Sequence, residues 1–143
     1  MEGIDFGSLQ EVEEFQAILM LYNEAKTYLE NFKWCKKTIK CWYDFGLYEK
    51  IGVFLFQIEP ISDEVDNFIW IIVGDLPSAY LDCSVLTGNE ALKIYVEIMT
   101  EWADNILQGK SVDNCFPVNA APTIENANLL KKRINFIKAE ILN

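Results

Sequence analysis

Residues 68–81 read FIWIIVGDLPSAYL, with six consecutive apolar residues from Phe68 to Val73 running into Gly74, Asp75 and Pro77. A short apolar run stopped by turn residues is the pattern of a strand. It lacks the polar alternation that leaves one face of a sheet in water. Side chains alternate along a strand, so Phe68, Trp70 and Ile72 share one face and Ile69, Ile71 and Val73 the other. Both faces are expected to be covered, which makes this the central strand with the Asp75 carboxylate at its mouth.

On the N-terminal side of this strand, residues 41–58 (CWYDFGLYEKIGVFLFQI) turn to period two and β-rich composition, with Gly46 and Gly52 as breaks. The expectation is a hairpin in which Trp42, Asp44 and Gly46 share a face, and Val53 and Leu55 oppose Phe54 and Phe56. Pro60 ends the second strand because it has no amide hydrogen to donate. The acidic turn SDEVDN (62–67) then leads into the central strand as a second hairpin. On the other side, Ala79–Leu81 forms a short fourth strand.

Helices flank these strands. Met1–Gly7 reads as a loose lead-in, and Ser8 with Glu11 has the form of a capping box. Leu9, Val12, Phe15, Leu19, Tyr22, Ala25 and Leu29 then make an apolar stripe for a helix to about Asn31, with Glu11, Glu13 and Glu14 suited to its positive end. Lys33, Lys36, Lys37 and Lys40 crowd the connection that follows. Thr87 and Glu90 form a second capping box ahead of a helix at about 88–108, with Ala91, Tyr95, Ile98, Trp102 and Ile106 as its stripe, Glu90, Glu97, Glu101 and Asp104 outward, and Gly109 as its stop. Residues 110–122 form a packed connector anchored by Val112, Phe116 and Val118. Thr123 caps a third helix with Ile124, Ala127, Leu130, Ile134, Ile137 and Ile141 on one side, and Lys131, Lys132, Arg133 and Lys138 toward its negative end. The order of elements gives an α+β fold: an antiparallel sheet of three to four strands with one N-terminal and two C-terminal helices packed on it. At 143 residues, with 51% hydrophobic content, a single domain over 1–143 is expected.

Charge and composition narrow the chemistry. Nineteen aromatic residues argue against disorder despite a net charge of −10. A surface this acidic repels phosphate backbones, so the partner class it favours is a basic protein and not nucleic acid. The four cysteines have no CxxC pairing and the chain has no histidine, so neither a zinc site nor a histidine-based nucleophile is expected. Without a signal-peptide pattern at residue 1, the thiols read as reduced and the location as cytoplasmic. No apolar run approaches the ~20 residues of a bilayer span. Asp63, Glu64 and Asp66 lack the glycine and spacing of a calcium loop. Neither a P-loop nor a GxGxxG motif occurs, so no cofactor is expected. Asp75 admits two readings: a carboxylate of raised pKa at a strand end, or a turn residue accepting backbone amides.

The runs VFLFQIEP (53–60), WIIVGDLPSAYL (70–81), EALKIYVEIMTEWADNILQGK (90–110) and FPVNAAPTIENANLLKKRINFIKAEIL (116–142) resemble a family of small acidic bacterial proteins of unassigned function. GDLPSAYL is the most specific element, and the resemblance covers about residues 42–142. It carries over no catalytic residues. More loosely, the chain is similar to immunity proteins of contact-dependent growth inhibition systems. That resemblance, together with the charge, implies a cytoplasmic immunity protein that neutralises a basic toxin domain, such as a nuclease, by stoichiometric binding. A housekeeping binding module or scaffold subunit is the alternative, followed by a carboxylate-based hydrolase. The expected contacts are Asp63, Glu64 and Asp66 in the turn, and Asp75 and Asp82 near the far end of the central strand.

Overall fold

The apolar run at 68–74 is paired on both sides, as its composition requires. The computed structural model describes residues 4–5, 12–47, 50–82, 84–85 and 87–142. Its elements are β1 (Ile4–Asp5), α1 (Val12–Glu30), β2 (Cys35–Leu47), β3 (Ile51–Pro60), β4 (Phe68–Gly74), β5 (Ala79–Asp82), α2 (Gly88–Leu107) and α3 (Ile124–Glu140). The fold is α+β, with four longer antiparallel strands joined in sequence order by the two-residue β1 at the β2 edge. Contacts divide the chain into two units, Met1–Ala91 and Leu92–Asn143.

In the first unit, Phe54 pairs with Ile71 and Leu55 with Trp70, while Tyr80 and Leu81 of β5 pair with Ile71 and Trp70 from the other side. One face carries Phe54, Phe56, Ile58, Ile69, Ile71 and Val73, and α1 packs there through Ile18, Leu21, Ala25 and Leu29. The opposite face, with Val53, Trp70, Ile72 and Ala79, is buried as well. Indole N–H groups taken out of water need an acceptor, and Trp70 Nε1 donates to the Val85 carbonyl at 2.8 Å.

Three expectations change here. Ile4–Asp5, within the lead-in, pairs with Trp42 and Tyr43. The lysine-rich stretch read as a connection is strand: β2 begins at Cys35 and pairs with β3 through three register shifts, at Cys35/Lys37, Thr38/Lys40 and Tyr43/Phe45. Each shift leaves one extra residue, which resets the alternation. Consequently Trp42 and Phe45 lie opposite Leu55 and Val53, whereas Gly46 lies opposite Gly52 on the other face, so Trp42, Asp44 and Gly46 do not share one. The two glycines expected as breaks face each other within the ladder. Bulges and lysines on an edge also blunt it against pairing with another chain, which gives Lys36, Lys37 and Lys40 a structural role. Finally, the buried line of α1 runs through Ala17, Ile18, Leu21, Ala25 and Leu29, with Leu19 and Tyr22 half-buried on its flank. In the run AILMLY (17–22) every residue is apolar, and packing on the sheet selects the face. Ser8, Leu9 and Glu11 lie outside the described residues, as do the side chains of Val12, Glu13, Glu14 and Phe15.

The second unit holds the remainder of α2, a connector and α3. Along α2 the residues that become buried are Leu92, Tyr95, Val96, Met99, Trp102 and Ala103, a broader stripe than expected, while Ile98 and Ile106 are half-buried. The Thr87 cap is present, its Oγ1 accepting from the Glu90 amide at 3.1 Å. At the other end, Gly109 takes φ 71°, its amide donating to the Ile106 carbonyl and that of Lys110 to the Asn105 carbonyl. This doubly bonded stop requires a left-handed residue, and glycine supplies it. The Asn105 amide then holds the connector, donating to the Ser111 carbonyl at 3.1 Å and to Cys115 Sγ at 3.3 Å. Val112, Phe116 and Val118 are half-buried anchors. Lys131 of α3 bonds Asp104 of α2 at 2.6 Å, so this lysine has a specific partner beyond any dipole effect, and Asp104 is half-buried where it was expected outward.

Thr123 caps α3 through an Oγ1 that accepts from the Asn126 amide at 3.1 Å. Replacing it with Ala removes that acceptor from an orphan amide, and an expected loss of about 1 kcal/mol follows. Urea unfolding measures this directly; an unchanged midpoint would show the cap to be idle.

Candidate functional site

The five acidic residues singled out in the sequence do not form one group. Asp63, Glu64 and Asp66 lie in the β3–β4 turn, which is closed by the Ile58 amide donating to the Asn67 carbonyl at 2.8 Å and the Val65 amide to the Ser62 carbonyl at 3.2 Å. Asp82 pairs with Ile69 at the start of β4. It therefore belongs to the same end of the sheet as the acidic turn, not to the far end. The physical reason is the antiparallel return of β5, which carries the chain back along β4 to where β4 began. Asp75 alone sits at the opposite end, past Gly74. Seven strand residues separate the two ends, roughly 20 Å at the usual rise per residue.

The acidic end has a defined composition. Asp63, Glu64 and Asp82 are exposed and Asp66 is half-buried. One oxygen of Asp82 accepts from both the amide and the hydroxyl of Ser84, which fixes the carboxylate and ties down the residues after β5. Two large apolar side chains flank the turn in the open: Ile61 is 63% exposed and Phe68 36%. Phe68 is packed loosely against Trp42, with 6.3 Å between ring centroids, and the Lys40 ammonium lies 5.0 Å from the Trp42 ring. Glu59, missed in the sequence, joins this end opposite Lys37 on β2. Lys33 and Lys36 are nearby in the chain, so the end is mixed in charge with acid in excess.

Behind the turn, on the α1 side of the sheet, Tyr28, Phe32, Trp34 and Tyr80 pack as one aromatic group. Phe32 stacks on Trp34 at 4.8 Å and meets Tyr80 edge-on at 5.0 Å, while Tyr28 meets Phe32 edge-on at 5.1 Å. Burial, and then the neighbouring Tyr80, push the Tyr28 hydroxyl well above its ordinary pKa. Tyr80 is the tyrosine of the GDLPSAYL run, so that motif contributes a packed ring to the support of the acidic end. No periodicity marks this group, because its members come from a helix end, a turn and one strand.

At the opposite end, Glu24 of α1, Lys50 and Asp75 line a cavity of about 530 Å³. The Asp75 amide donates to the Lys50 carbonyl at 2.8 Å, which supports the turn reading of its backbone. Burial raises the Glu24 pKa above the ordinary glutamate value. A carboxyl raised on folding contributes its full stability below its unfolded pKa and loses it as pH rises through the folded one. Glu24→Gln is therefore expected to raise Tm at neutral pH and to leave it unchanged in acid, as thermal melts at the two pH values will show.

Among the described residues, no three His, Cys, Asp or Glu side chains converge to hold a metal ion, and no helix is long and apolar enough to cross a membrane. Cys35, Cys41 and Cys115 are free thiols, while Cys83 lies outside the described residues. Cys35 is buried, and burial followed by the Glu30 charge raises its pKa. The thiolate is the reactive form, so Cys35 is expected to alkylate last in the native chain, after the half-buried Cys41 and Cys115. Mass spectrometry of a timed labelling series would detect the reverse order. Compared with the models of known protein families, with curated sequences and with solved structures, the chain gives no match.

Proposed function

We propose that the chain is a binding protein whose acidic sheet end grips a basic surface on a protein partner. In the fullest form of this reading it is a cytoplasmic immunity protein that neutralises a basic toxin domain, such as a nuclease, by forming a stoichiometric complex. The observation that carries the proposal is the setting of Ile61 and Phe68. These two exposed apolar side chains bracket Asp63, Glu64 and Asp66, and the β4–β5 register brings Asp82 alongside. Interfaces join an apolar anchor, which governs residence, to a charged rim, which governs encounter. The net charge of −10 favours the same sign of partner over the whole surface. Asp75 contributes to that general field and not to this interface.

The test is co-expression with a basic toxin domain encoded beside this chain, read as growth rescue and as a one-to-one complex on a sizing column. Reversing Asp63 and Glu64 to Lys is expected to slow association about tenfold at low salt, with the difference shrinking as salt rises. Replacing Ile61 with Ser is expected to speed dissociation instead. No rescue and no complex at low salt would overturn the proposal.

A further inference from the structure

Residues opposite each other in an antiparallel pair project to the same side of the sheet. Tyr80 pairs with Ile71 and Asp82 with Ile69, and both isoleucines belong to the face that α1 covers. Asp82 therefore stands on the α1 side, two residues beyond Tyr80 and about 7 Å along the strand from it. Tyr80 packs with Phe32 and Trp34, whose ring centroids lie 5.0 and 5.2 Å from its own. The Trp34 carbonyl accepts from the Ile61 amide at 3.0 Å, which joins this aromatic group to the acidic turn. We propose that the aromatic group and Asp82 together receive an arginine side chain of the basic partner, the guanidinium lying against Trp34 and Tyr80 and bonding the Asp82 carboxylate. This inference rests on the acidic end being the docking surface, and adds which basic residue that surface reads.

Spacing, order and charge each point to arginine. A cation is attracted to an aromatic face from within about 6 Å of the ring centroid. With Tyr80 and Asp82 about 7 Å apart on one face, a planar guanidinium can lie against the rings and reach the carboxylate at once. Lysine offers a compact, strongly hydrated ammonium, which makes the ion pair without the stacking. The rings are held before any partner arrives: Phe32 stacks on Trp34 at 4.8 Å, and Tyr28 braces Phe32 edge-on at 5.1 Å. Phe32, Trp34 and Tyr80 are nonetheless only half-buried, so each keeps part of its ring in water.

The two faces of this sheet end differ in one respect. On the face away from α1, Trp42 already carries the Lys40 ammonium, 5.0 Å from its ring. On the α1 face, Lys33 and Lys36 flank Trp34 in the chain, yet among the described residues no cation lies over Phe32 or Trp34. Asp82 is exposed, and Ser84 engages one of its oxygens; the other has no partner among the described residues. Asp63 and Glu64, both exposed in the adjoining turn, favour a ligand of the same positive sign.

Tetra-arginine and tetra-lysine peptides, titrated into the full chain at low salt and followed by NMR, test the proposal. The two peptides carry equal charge, so attraction to the acidic surface is common to both and the difference between them reads the stacking. Tetra-arginine is expected to bind about threefold more tightly, the size of one exposed cation–π contact, with saturable shifts at the Trp34 indole N–H, Tyr80 and Asp82. Trp34→Leu is expected to erase that preference, and its melt reports that the variant is folded. Asp82→Asn, a change at an exposed position, is expected to weaken tetra-arginine about threefold, the loss of an exposed ion pair. Equal affinity for the two peptides, shifts that bypass Trp34 and Asp82, or unchanged tetra-arginine affinity in Asp82→Asn would each overturn the proposal. Failure of the docking reading is distinguishable, because the toxin domain then forms no complex with the parent chain. If that complex forms and is undiminished in Trp34→Leu and Asp82→Asn, docking stands and the arginine site falls.

Discussion

Ile71→Asp is expected to abolish cooperative unfolding. Ile71 is 0% exposed and lies at the middle of β4, with Phe54 on one side and Tyr80 on the other. It faces α1 within the cluster that holds Leu21, Ala25, Phe56 and Ile69. Truncating such a residue costs about 2–5 kcal/mol through lost transfer energy and the cavity left behind. A carboxylate adds the desolvation of an unpaired charge, several kcal/mol more. The sum, roughly 5–10 kcal/mol, is comparable with the ~5–15 kcal/mol by which domains are usually stable. Circular dichroism on heating should show a sloping signal without a transition, while Ile71→Val should melt normally after a loss of about 0.5–1.5 kcal/mol. A sharp transition near that of the parent chain would refute the central placement of β4.

Gly74→Ala is expected to be the most damaging single-methyl change at a glycine of this sheet. The residue has φ 145°, which L side chains rarely adopt, and an added Cβ would meet the Lys50 oxygen at 2.2 Å, the Ile51 Cα at 2.7 Å and the Lys50 carbonyl carbon at 2.8 Å. All three are backbone atoms, so no side chain can swing aside. Either β3 and β4 part at this end or the chain after β4 takes another path, and both break the Asp75 amide bond to Lys50. Backbone strain of about 1–3 kcal/mol and a lost hydrogen bond of about 1 kcal/mol combine to a loss of roughly 3 kcal/mol. Gly109→Ala is the comparison. There φ is 71° and nothing lies within 4 Å of the added methyl, so the expected loss is only about 1–2 kcal/mol, the left-handed backbone term alone. Urea midpoints of the two variants measure the difference directly. Equal losses would show that the contact at Gly74 relaxes freely.

The same two glycines show how far local sequence reaches. Gly109 is legible as a helix stop because its function is confined to one turn of chain. Gly74 reads as a turn residue, but its close approach to Lys50 depends on β3 and β4 meeting in one register. In β2 the limit is plainer. Its β-rich second half is recognisable, whereas its first half is hidden in a lysine cluster, because bulges at an edge strand erase the alternation that reveals a strand.

From the sequence alone come the central strand at 68–73, the hairpins around it, the stop at Pro60, the two C-terminal helices with their Thr87 and Thr123 caps, and the α+β class. These rest on interactions between residues close in the chain, or on runs too apolar to sit in water. Tertiary structure alone decided the face that α1 buries, the addition of Ile4–Asp5 to the sheet, and the grouping of Asp82 with the acidic turn while Asp75 stands apart beside Glu24 and Lys50. Each depends on which residues far apart in sequence come to lie side by side, and hydrophobic attraction is non-directional. Burial specifies that AILMLY must be covered; the register of a particular sheet determines which of its side chains are.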